Sequence, residues 1–182
     1  RNDPARWGRA RELARADAQA HLNAAADPKN RAAIQAVSDA LRLDPTITTP
    51  ALRDVLVAHL SKRRLQKHVA IAVSRALFAW PADGTVTAAF TEALLNNRAV
   101  EEERVFAYLI AQHGPDKQRA FVARVLPVSW GRLMNAAVRL AVQEGWGELL
   151  EQQVKVAEGR RLHVLLGAVA AACADGENDE LR

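Results

Sequence analysis

Five basic side chains lie close together in one stretch of the sequence: Lys62, Arg63, Arg64, Lys67 and Arg75. In a helix that follows Lys62, the spacing of Arg64, Lys67 and Arg75 places them on one face. Such a row can bind the carboxylates of a protein partner or the phosphates of a nucleic acid. No aromatic side chain interleaves with these charges to stack on bases. We therefore predict a partner-binding face here, with a solvated basic face as the alternative.

The charge of the chain is unevenly distributed. The formal net charge is +4, but the first 80 residues hold 14 basic and 7 acidic side chains, whereas the remainder holds 11 and 14. A basic first half steers an acidic partner toward it by long-range electrostatic attraction. Arg15, Arg160 and Arg161 extend the basic row if the fold brings them near it. Solvated, arginine-rich helix faces produce the same balance, so the charge favours an acidic partner without requiring one.

Residues for catalysis or metal binding form no recognisable pattern in the sequence. The five histidines, including His21 and His59 on apolar stripes, never stand three or four positions from another histidine or a cysteine. Glycine-rich phosphate loops and nucleophile motifs do not occur. Glu101, Glu102 and Glu103 suit a helix start, where the dipole favours negative charge, better than acid–base chemistry. We predict no cofactor, metal ion or catalytic residue.

Cys173 and the tryptophans give weaker indications. Cys173, the single cysteine, lies in an apolar run, which predicts a buried and inert thiol. One cysteine excludes an internal disulfide and is compatible with the cytoplasm, which is the expected location. We expect Trp130 and Trp146 to seal junctions between helices, whereas an exposed tryptophan would be a binding hot spot. No apolar run reaches the ~18 residues of a membrane span. The start at Arg1 predicts a fragment or a processed form.

Residues 49 to 81 predict the helix pair that positions the basic row. Thr49 can cap the first helix, and Pro50 suits its first turn, where an N–H would lack a partner anyway. Each helix carries an apolar stripe: Leu52, Val55, Leu56, His59 and Leu60 on the first, and Leu65, Val69, Ala72, Val73, Ala76, Leu77 and Trp80 on the second. Pro81 is expected to end the second helix. One pair cannot bury both stripes, so similar pairs must pack beside it.

Turn and capping residues divide the rest of the chain into similar helices. Two helices are expected before residue 45, and later helices start near residues 85, 100, 115, 129, 146 and 160. Ser129 is the predicted cap of one of them, and Gly145 its predicted end. The last helix is expected from about Arg160 to Ala174, before a solvated tail. Its predicted inner stripe consists of Leu162, Leu165, Leu166, Val169 and Cys173. No segment has the alternation of a strand.

Helix pairs recur at a spacing of roughly 30 to 35 residues. Three second helices open alike: Arg64-Leu65, Arg132-Leu133 and Arg161-Leu162, each with a solvated arginine and a leucine that fills the hairpin. With the proline-initiated helices at Pro50 and Pro115 and the run VAIAVSRAL from Val69 to Leu77, this pattern resembles HEAT-like α-helical repeats over about residues 28 to 174. The resemblance implies a curved stack of helix pairs whose surface binds partners.

We therefore predict an all-α protein, an α-solenoid of about five antiparallel helix pairs in a single domain over residues 1–182. Residues 1–45 would form an N-terminal capping pair, and residues 175–182 a flexible tail; a non-repetitive helical bundle is the alternative fold. The predicted function is that of a protein–protein interaction or scaffold module, which docks an acidic segment or helix of a partner on the basic row. Nucleic-acid binding through the same face is the alternative, and an enzyme on a helical scaffold is the third hypothesis.

Overall fold

The computed structural model describes residues 48–62, 66–96 and 100–179, together with Glu12, Ala16 and Leu41. These ranges form α-helices and contain no strand, so the predicted all-α class is confirmed. The helices are α1 (Pro50–Leu60), α2 (Lys67–Leu77), α3 (Gly84–Leu95), α4 (Glu102–Ala111), α5 (Pro115–Val125), α6 (Gly131–Gln143), α7 (Gly147–Val156) and α8 (Gly159–Asp179). The predicted N-terminal capping pair lies outside the described residues, except for Glu12, Ala16 and Leu41. Outside them also lie Arg63, Arg64 and the last three residues of the tail.

The chain divides into two compact units. One comprises Arg1–Ala93 and Arg98–Glu101, and the other Leu94–Asn97 and Glu102–Arg182. In the first unit, α1 packs against α2. In the second unit, α6 packs against α4, α5, α7 and α8, and α7 also packs against α8. Helix α6 is therefore the centre of the second unit, which explains why Met134, Ala137, Val138 and Ala141 are buried almost completely.

Helix α1 begins as its sequence predicts. The Thr49 hydroxyl oxygen accepts a hydrogen bond from the Leu52 N–H at 3.2 Å, and Pro50 occupies the first helical position. Both features satisfy or remove N–H groups that have no partner within the helix. The inner face carries Leu52, Leu56, His59 and Leu60, all buried, and Val55 is half-buried. The capping and the stripe of α1 are confirmed.

The first unit continues through α2 and a capped turn into α3. Helix α2 buries Val69, Val73 and Leu77, and it ends at Leu77, before Pro81 is reached. The Asp83 carboxylate then accepts hydrogen bonds from the N–H groups of Thr85 at 2.9 Å and Val86 at 3.1 Å. This is the predicted turn and cap at the start of α3. The cap directs the apolar stripe of α3, which consists of Val86, Ala89, Phe90, Ala93 and Leu94, into the interior.

Helix α6 ends at a glycine with a left-handed backbone, as predicted. Gly145 has φ of 70°. The Trp146 N–H donates to the Ala141 carbonyl at 2.8 Å, and the Gly145 N–H donates to the Val142 carbonyl at 3.1 Å. These two bonds form the Schellman motif, which satisfies carbonyl groups at the end of a helix and requires a residue that tolerates positive φ. Gly145 therefore redirects the chain from α6 into α7.

The predicted cap of α6 is wrong. Ser129 is buried, and its hydroxyl donates to the Leu126 carbonyl at 3.2 Å rather than accepting from the first turn of α6. Trp130 occupies the capping position and makes no side-chain capping bond. The hydroxyl is drawn to the preceding turn because a carbonyl at the end of α5 needs a donor there. Ser129 thus closes α5 instead of opening α6.

The predicted face and environment of α8 also need correction. Its buried residues are Leu165, Ala168 and Ala172, whereas Leu166 is 47% exposed and Cys173 is exposed. Of the predicted stripe, Leu165 is buried and Leu162 and Val169 are half-buried. The centre of the buried face is shifted by about one residue, which corresponds to a rotation of about 100° about the helix axis. The small alanine side chains permit the close packing of α8 on α6, so they face inward and Cys173 does not. The helix also continues to Asp179, beyond the predicted end at Ala174.

Candidate functional site

The described members of the basic row lie on and beside α2. Lys67 and Arg75 are exposed, and Ile71, midway between them, is half-buried. These positions are four residues apart, so they share one face of α2, opposite buried residues such as Val69 and Val73. Lys62 precedes the helix and is half-buried, with its Nζ 3.3 Å from Nδ1 of the buried His59. The structure therefore brings Lys67 and Arg75 onto one exposed face, as the spacing predicted.

Arg75 is already paired with a carboxylate. Its Nε donates to Oε1 of Glu101 at 2.6 Å, and its Nη2 forms an ion pair with the same oxygen. The hydrogen bond that Arg75 donates to Glu101 and the negative charge of Glu101 raise the pKa of Arg75. Glu101 also stands next to the first turn of α4, which contains Glu102 and Glu103. An anion that approaches this end of the row meets an arginine whose charge is partly neutralised.

Arginines elsewhere reach acidic residues on more distant segments of the same unit. Beside the Arg75–Glu101 pair, the ion pairs are Arg53–Asp83 at 2.8 Å, Arg119–Glu148 at 3.5 Å and Arg139–Asp175 at 3.0 Å. The partners are 26 to 36 positions apart in the sequence. The sequence interpretation missed these pairs. The signal that would have found them is an acidic residue about one helix pair downstream of each arginine.

Asp83 accepts hydrogen bonds from both a side chain and the backbone. Its carboxylate accepts from Arg53 and from two N–H groups at the start of α3. The hydrogen bond from Arg53 is the main cause that lowers the pKa of Asp83, and the N–H groups of Val86 and Thr85 lower it further. Partial burial acts in the opposite direction and raises this pKa. Arg53 in turn has a raised pKa because it donates to Asp83 and Asp54. This arrangement stabilises a helix junction.

Arg161 and Trp130 form a second cluster, in the second unit. The Arg161 guanidinium donates to the carbonyls of Ser129, at 3.2 Å, and of Leu126, and it lies 5.2 Å from the centroid of the Trp130 ring. Its half-buried position lowers the pKa of Arg161 through desolvation. The predicted solvated arginine at the start of this helix is therefore wrong. Arg161 ties the first turn of α8 to the turn between α5 and α6.

Trp130 does not seal a junction as predicted, because 43% of it is exposed. Trp146, in contrast, is half-buried behind the end of α6. Arg132 in the first turn of α6 and Arg160 in the first turn of α8 are both exposed. Arg161 joins the first turn of α8 to the turn that precedes α6 and contacts the Trp130 ring. We therefore group Trp130, Arg132, Arg160 and Arg161 and name them the Trp130 surface.

An apolar groove lies between α6, α7 and α8. Its volume is about 590 Å³, and its walls include Val142, Leu150, Val154 and Val169 together with the thiol-bearing Cys173. At its rim, Lys155 and Glu151 lie one helical turn apart on α7 and form a loose ion pair at 3.7 Å. The volume is within the range of small-molecule sites, which is about 300–1,000 Å³.

In the part of the chain that the structure describes, no group of three histidine, cysteine or acidic side chains is arranged to hold a metal ion. No helix there is both long and apolar enough to span a membrane. The described residues therefore form an all-α protein with basic surfaces on α2 and around Trp130 and with an apolar groove between α6, α7 and α8. Comparisons with models of known families, with characterised proteins and with solved structures find no match for this chain.

Proposed function

We propose that the chain is a HEAT-like α-solenoid that acts as a protein-interaction module and docks an acidic segment or helix of a partner on the basic face of α2. This face comprises Lys62, Lys67 and Arg75, together with Arg63 and Arg64, which follow Lys62 in the sequence. The observation that carries the proposal is the exposure of Lys67 and Arg75 on one side of a helix whose other side is buried. A helix held by its buried side presents such charges on a preformed backbone, so binding orders the side chains but not the chain itself.

The packing within the second unit supports the repeat architecture. Arg161 links the start of α8 to the turn before α6, and Arg139 near the end of α6 pairs with Asp175 late in α8. The two helices therefore run in the same direction, which is the relation between equivalent helices of successive hairpins. Helix α7 packs against both of them. Successive hairpins that share a core in this way are characteristic of solenoids.

The charge of the α2 face favours a protein partner with carboxylates. Carboxylates accept charge-assisted hydrogen bonds from lysine and arginine, and attraction between opposite charges raises the rate of association. Because the Arg75 guanidinium already donates to Glu101, we expect Lys67, Arg63 and Arg64 to contribute more of the attraction. We therefore expect the end of the face near Lys67 to contribute most to binding.

A titration with a defined acidic peptide tests the proposal. The probe is a fluorescein-labelled amphipathic helical peptide with glutamates on its polar face, and the readout is fluorescence anisotropy. The test variant is Arg63→Glu/Arg64→Glu/Lys67→Glu. The matched control is Arg119→Glu/Arg139→Glu/Lys155→Glu, which changes the net charge equally through exposed residues of the second unit. With Arg132→Gln/Arg160→Gln in every chain of the titration, which removes two cations of the Trp130 surface, we expect the test variant to weaken binding by about 10-fold or more and the control by much less.

Two results would contradict the proposal. If the peptide fails to bind the wild-type chain at low salt, the α2 face is not an acid-binding face. If test and control variants weaken binding equally, the attraction is a property of the net charge rather than of this face. Both variants must retain the helical circular dichroism of the wild type.

Nucleic-acid binding through the same face is the second candidate, and its support is the row of cations alone. A salt titration with random duplex DNA distinguishes the two functions, because the logarithm of the binding constant falls with the logarithm of salt in proportion to the number of phosphate contacts. Absence of DNA binding at low salt, together with peptide binding, favours the protein partner. Enzyme activity remains the third hypothesis, without a named catalytic residue.

A further inference from the structure

The Trp130 surface differs from the other arginine clusters in how its charges are compensated. Four arginines of the described chain each pair with a carboxylate from a distant segment. Arg132, Arg160 and Arg161 take part in no ion pair among the described residues. The half-buried Arg161 guanidinium contacts carbonyl groups and an aromatic ring. Carbonyl groups satisfy its N–H groups, but they do not neutralise its charge.

Few acidic residues flank these three arginines in the sequence. The first turns of α6 and α8 contain no acidic side chain, and Glu158 immediately before α8 is exposed. Arg124 in the last turn of α5 adds a further cation close to the turn that Arg161 contacts. The net charge of this surface is therefore positive. A desolvated or clustered cation without a counter-charge favours an anion from a binding partner.

Trp130 adds an apolar anchor to this positive surface. Arg161 lies over the ring and restrains it, while 43% of the residue stays accessible. Tryptophan and arginine are the residue types most enriched among binding hot spots. A restrained aromatic ring loses little conformational entropy when a partner covers it. The surface thus combines one fixed aromatic contact with several cations around it.

We infer that the Trp130 surface binds an acidic segment of a partner protein, with an apolar or aromatic side chain on Trp130 and carboxylates on Arg132, Arg160 and Arg161. A guanidinium group can donate two parallel hydrogen bonds to the two oxygens of one carboxylate. A single-stranded nucleic acid fits less well, because its successive bases need several stacking side chains and this surface offers a single exposed ring. This site lies in the second unit and does not depend on the α2 face.

The emission of Trp130 provides a test that is specific to this surface. The probe is a synthetic peptide with six glutamates around one central phenylalanine, free of tryptophan and tyrosine. It is titrated into the full chain and into the Trp130→Phe variant, and the difference in tryptophan emission is recorded. We expect a saturable change in the wild type that is absent in Trp130→Phe. The all-glutamine counterpart of the peptide should give no change at the same concentration.

Charge variants then test the cations. Arg132→Glu/Arg160→Glu should weaken the peptide affinity by about 10-fold or more, since reversal replaces two attractions with two repulsions. The neutral variant Arg132→Gln/Arg160→Gln should show a smaller loss, and it serves if the reversal disturbs folding. Arg119→Glu/Arg139→Glu is the matched control in the same unit, and we expect its affinity to stay within about twofold. The α2 variant Arg63→Glu/Arg64→Glu/Lys67→Glu should leave the Trp130 signal unchanged.

The inference is overturned if the peptide produces no Trp130-dependent change, or if the matched control loses as much affinity as Arg132→Glu/Arg160→Glu. It is also overturned if oligothymidylate produces the Trp130-dependent change at lower concentration than the peptide, because the surface then prefers a nucleic acid. Failure of the α2 variants to affect anisotropy would contradict the proposed function alone. The two surfaces are therefore tested separately.

Discussion

Replacement of Asp83 should destabilise the first unit through two separable contributions. The carboxylate caps α3 through the N–H groups of Thr85 and Val86, and it pairs with Arg53 at 2.8 Å. Asp83→Ala removes both, and loss of a helix cap alone costs about 1–2 kcal/mol. Asp83→Asn keeps an oxygen that accepts the capping bonds but removes the charge. We expect Asp83→Asn to lose less stability than Asp83→Ala at neutral pH.

The pH dependence separates the charge from the cap. The pKa of Asp83 in the folded state is lowered, chiefly by the hydrogen bond from Arg53. The stabilisation from its charge is therefore fully present above the unfolded pKa of about 3.9 and is lost as the pH falls through the folded pKa. Wild type and Asp83→Asn should differ in free energy of unfolding at pH 7. They should converge at a pH below the folded pKa, where the wild-type carboxyl is protonated.

Urea denaturation at neutral and acid pH, followed by circular dichroism and tryptophan emission, measures these differences. Asp54→Asn is the control, because Asp54 contacts the same Arg53 but is 58% exposed and caps no helix. Its effect should be smaller than that of Asp83→Asn, since exposed ion pairs contribute little. The reasoning is refuted if Asp83→Ala is no less stable than Asp54→Ala. It is equally refuted if the difference between Asp83→Asn and wild type persists unchanged at low pH.

Three further predictions concern residues of the second unit. Arg161→Met should lower the free energy of unfolding by about 1–3 kcal/mol in urea titrations, because carbonyl groups at the end of α5 lose their donor; an unchanged midpoint would contradict this. Gly145→Ala should cost about 1–2 kcal/mol in the same assay, because φ of 70° strains a side chain, whereas Gly167→Ala inside α8 should not destabilise. Cys173 is exposed, so iodoacetamide should modify it in the native protein, and a reaction that occurs only in urea would contradict that exposure.

Helix boundaries were predictable from the sequence where a local signal specifies them. Thr49 and Asp83 accept bonds from N–H groups two or three residues away, and Gly145 supplies a positive φ. Such signals act within one turn and do not depend on the rest of the chain. The all-α class followed from the same signals together with the apolar stripes. Local capping therefore accounts for most of the fold that the sequence predicted correctly.

The orientation of α8 and the role of Ser129 were not predictable in this way. Which face of α8 is buried depends on how closely α6 approaches it, and alanines permit an approach that Leu166 and Cys173 would prevent. Ser129 lies next to two groups that compete for its hydroxyl, the first turn of α6 and the Leu126 carbonyl. Only the position of the neighbouring helix decides such competitions. A stripe of large apolar residues predicts a face to within about one residue, or about 100° of rotation.

A cluster of basic residues in the sequence is not equivalent to a positive surface. The predicted row contains Arg75, which Glu101 partly neutralises, although the two residues are 26 positions apart. Arg161 was assigned a solvated role, yet it is half-buried and has no carboxylate near it among the described residues. The remaining positive charge thus depends on pairs between residues 26 to 36 positions apart, which the spacing within a single helix does not show. A sequence rich in arginine indicates where charges are, and the fold determines which of them stay uncompensated.

This difference in charge compensation predicts which of the two surfaces binds an acidic peptide more tightly. Binding at Arg75 must compete with an existing carboxylate, so the α2 face gains only part of the attraction that its formal charge suggests. Arg132, Arg160 and Arg161 form no ion pair with another described residue, and Trp130 adds an aromatic ring that is 43% exposed. With the same acidic peptide at the same salt concentration, the Trp130 surface should bind more tightly than the α2 face. Comparison of the emission of Trp130 with the anisotropy of the labelled peptide, in Arg132→Glu/Arg160→Glu and in the α2 variant, measures this order. The reverse order would mean that the pair with Glu101 opens readily and that the charge of Arg75 is available to a partner.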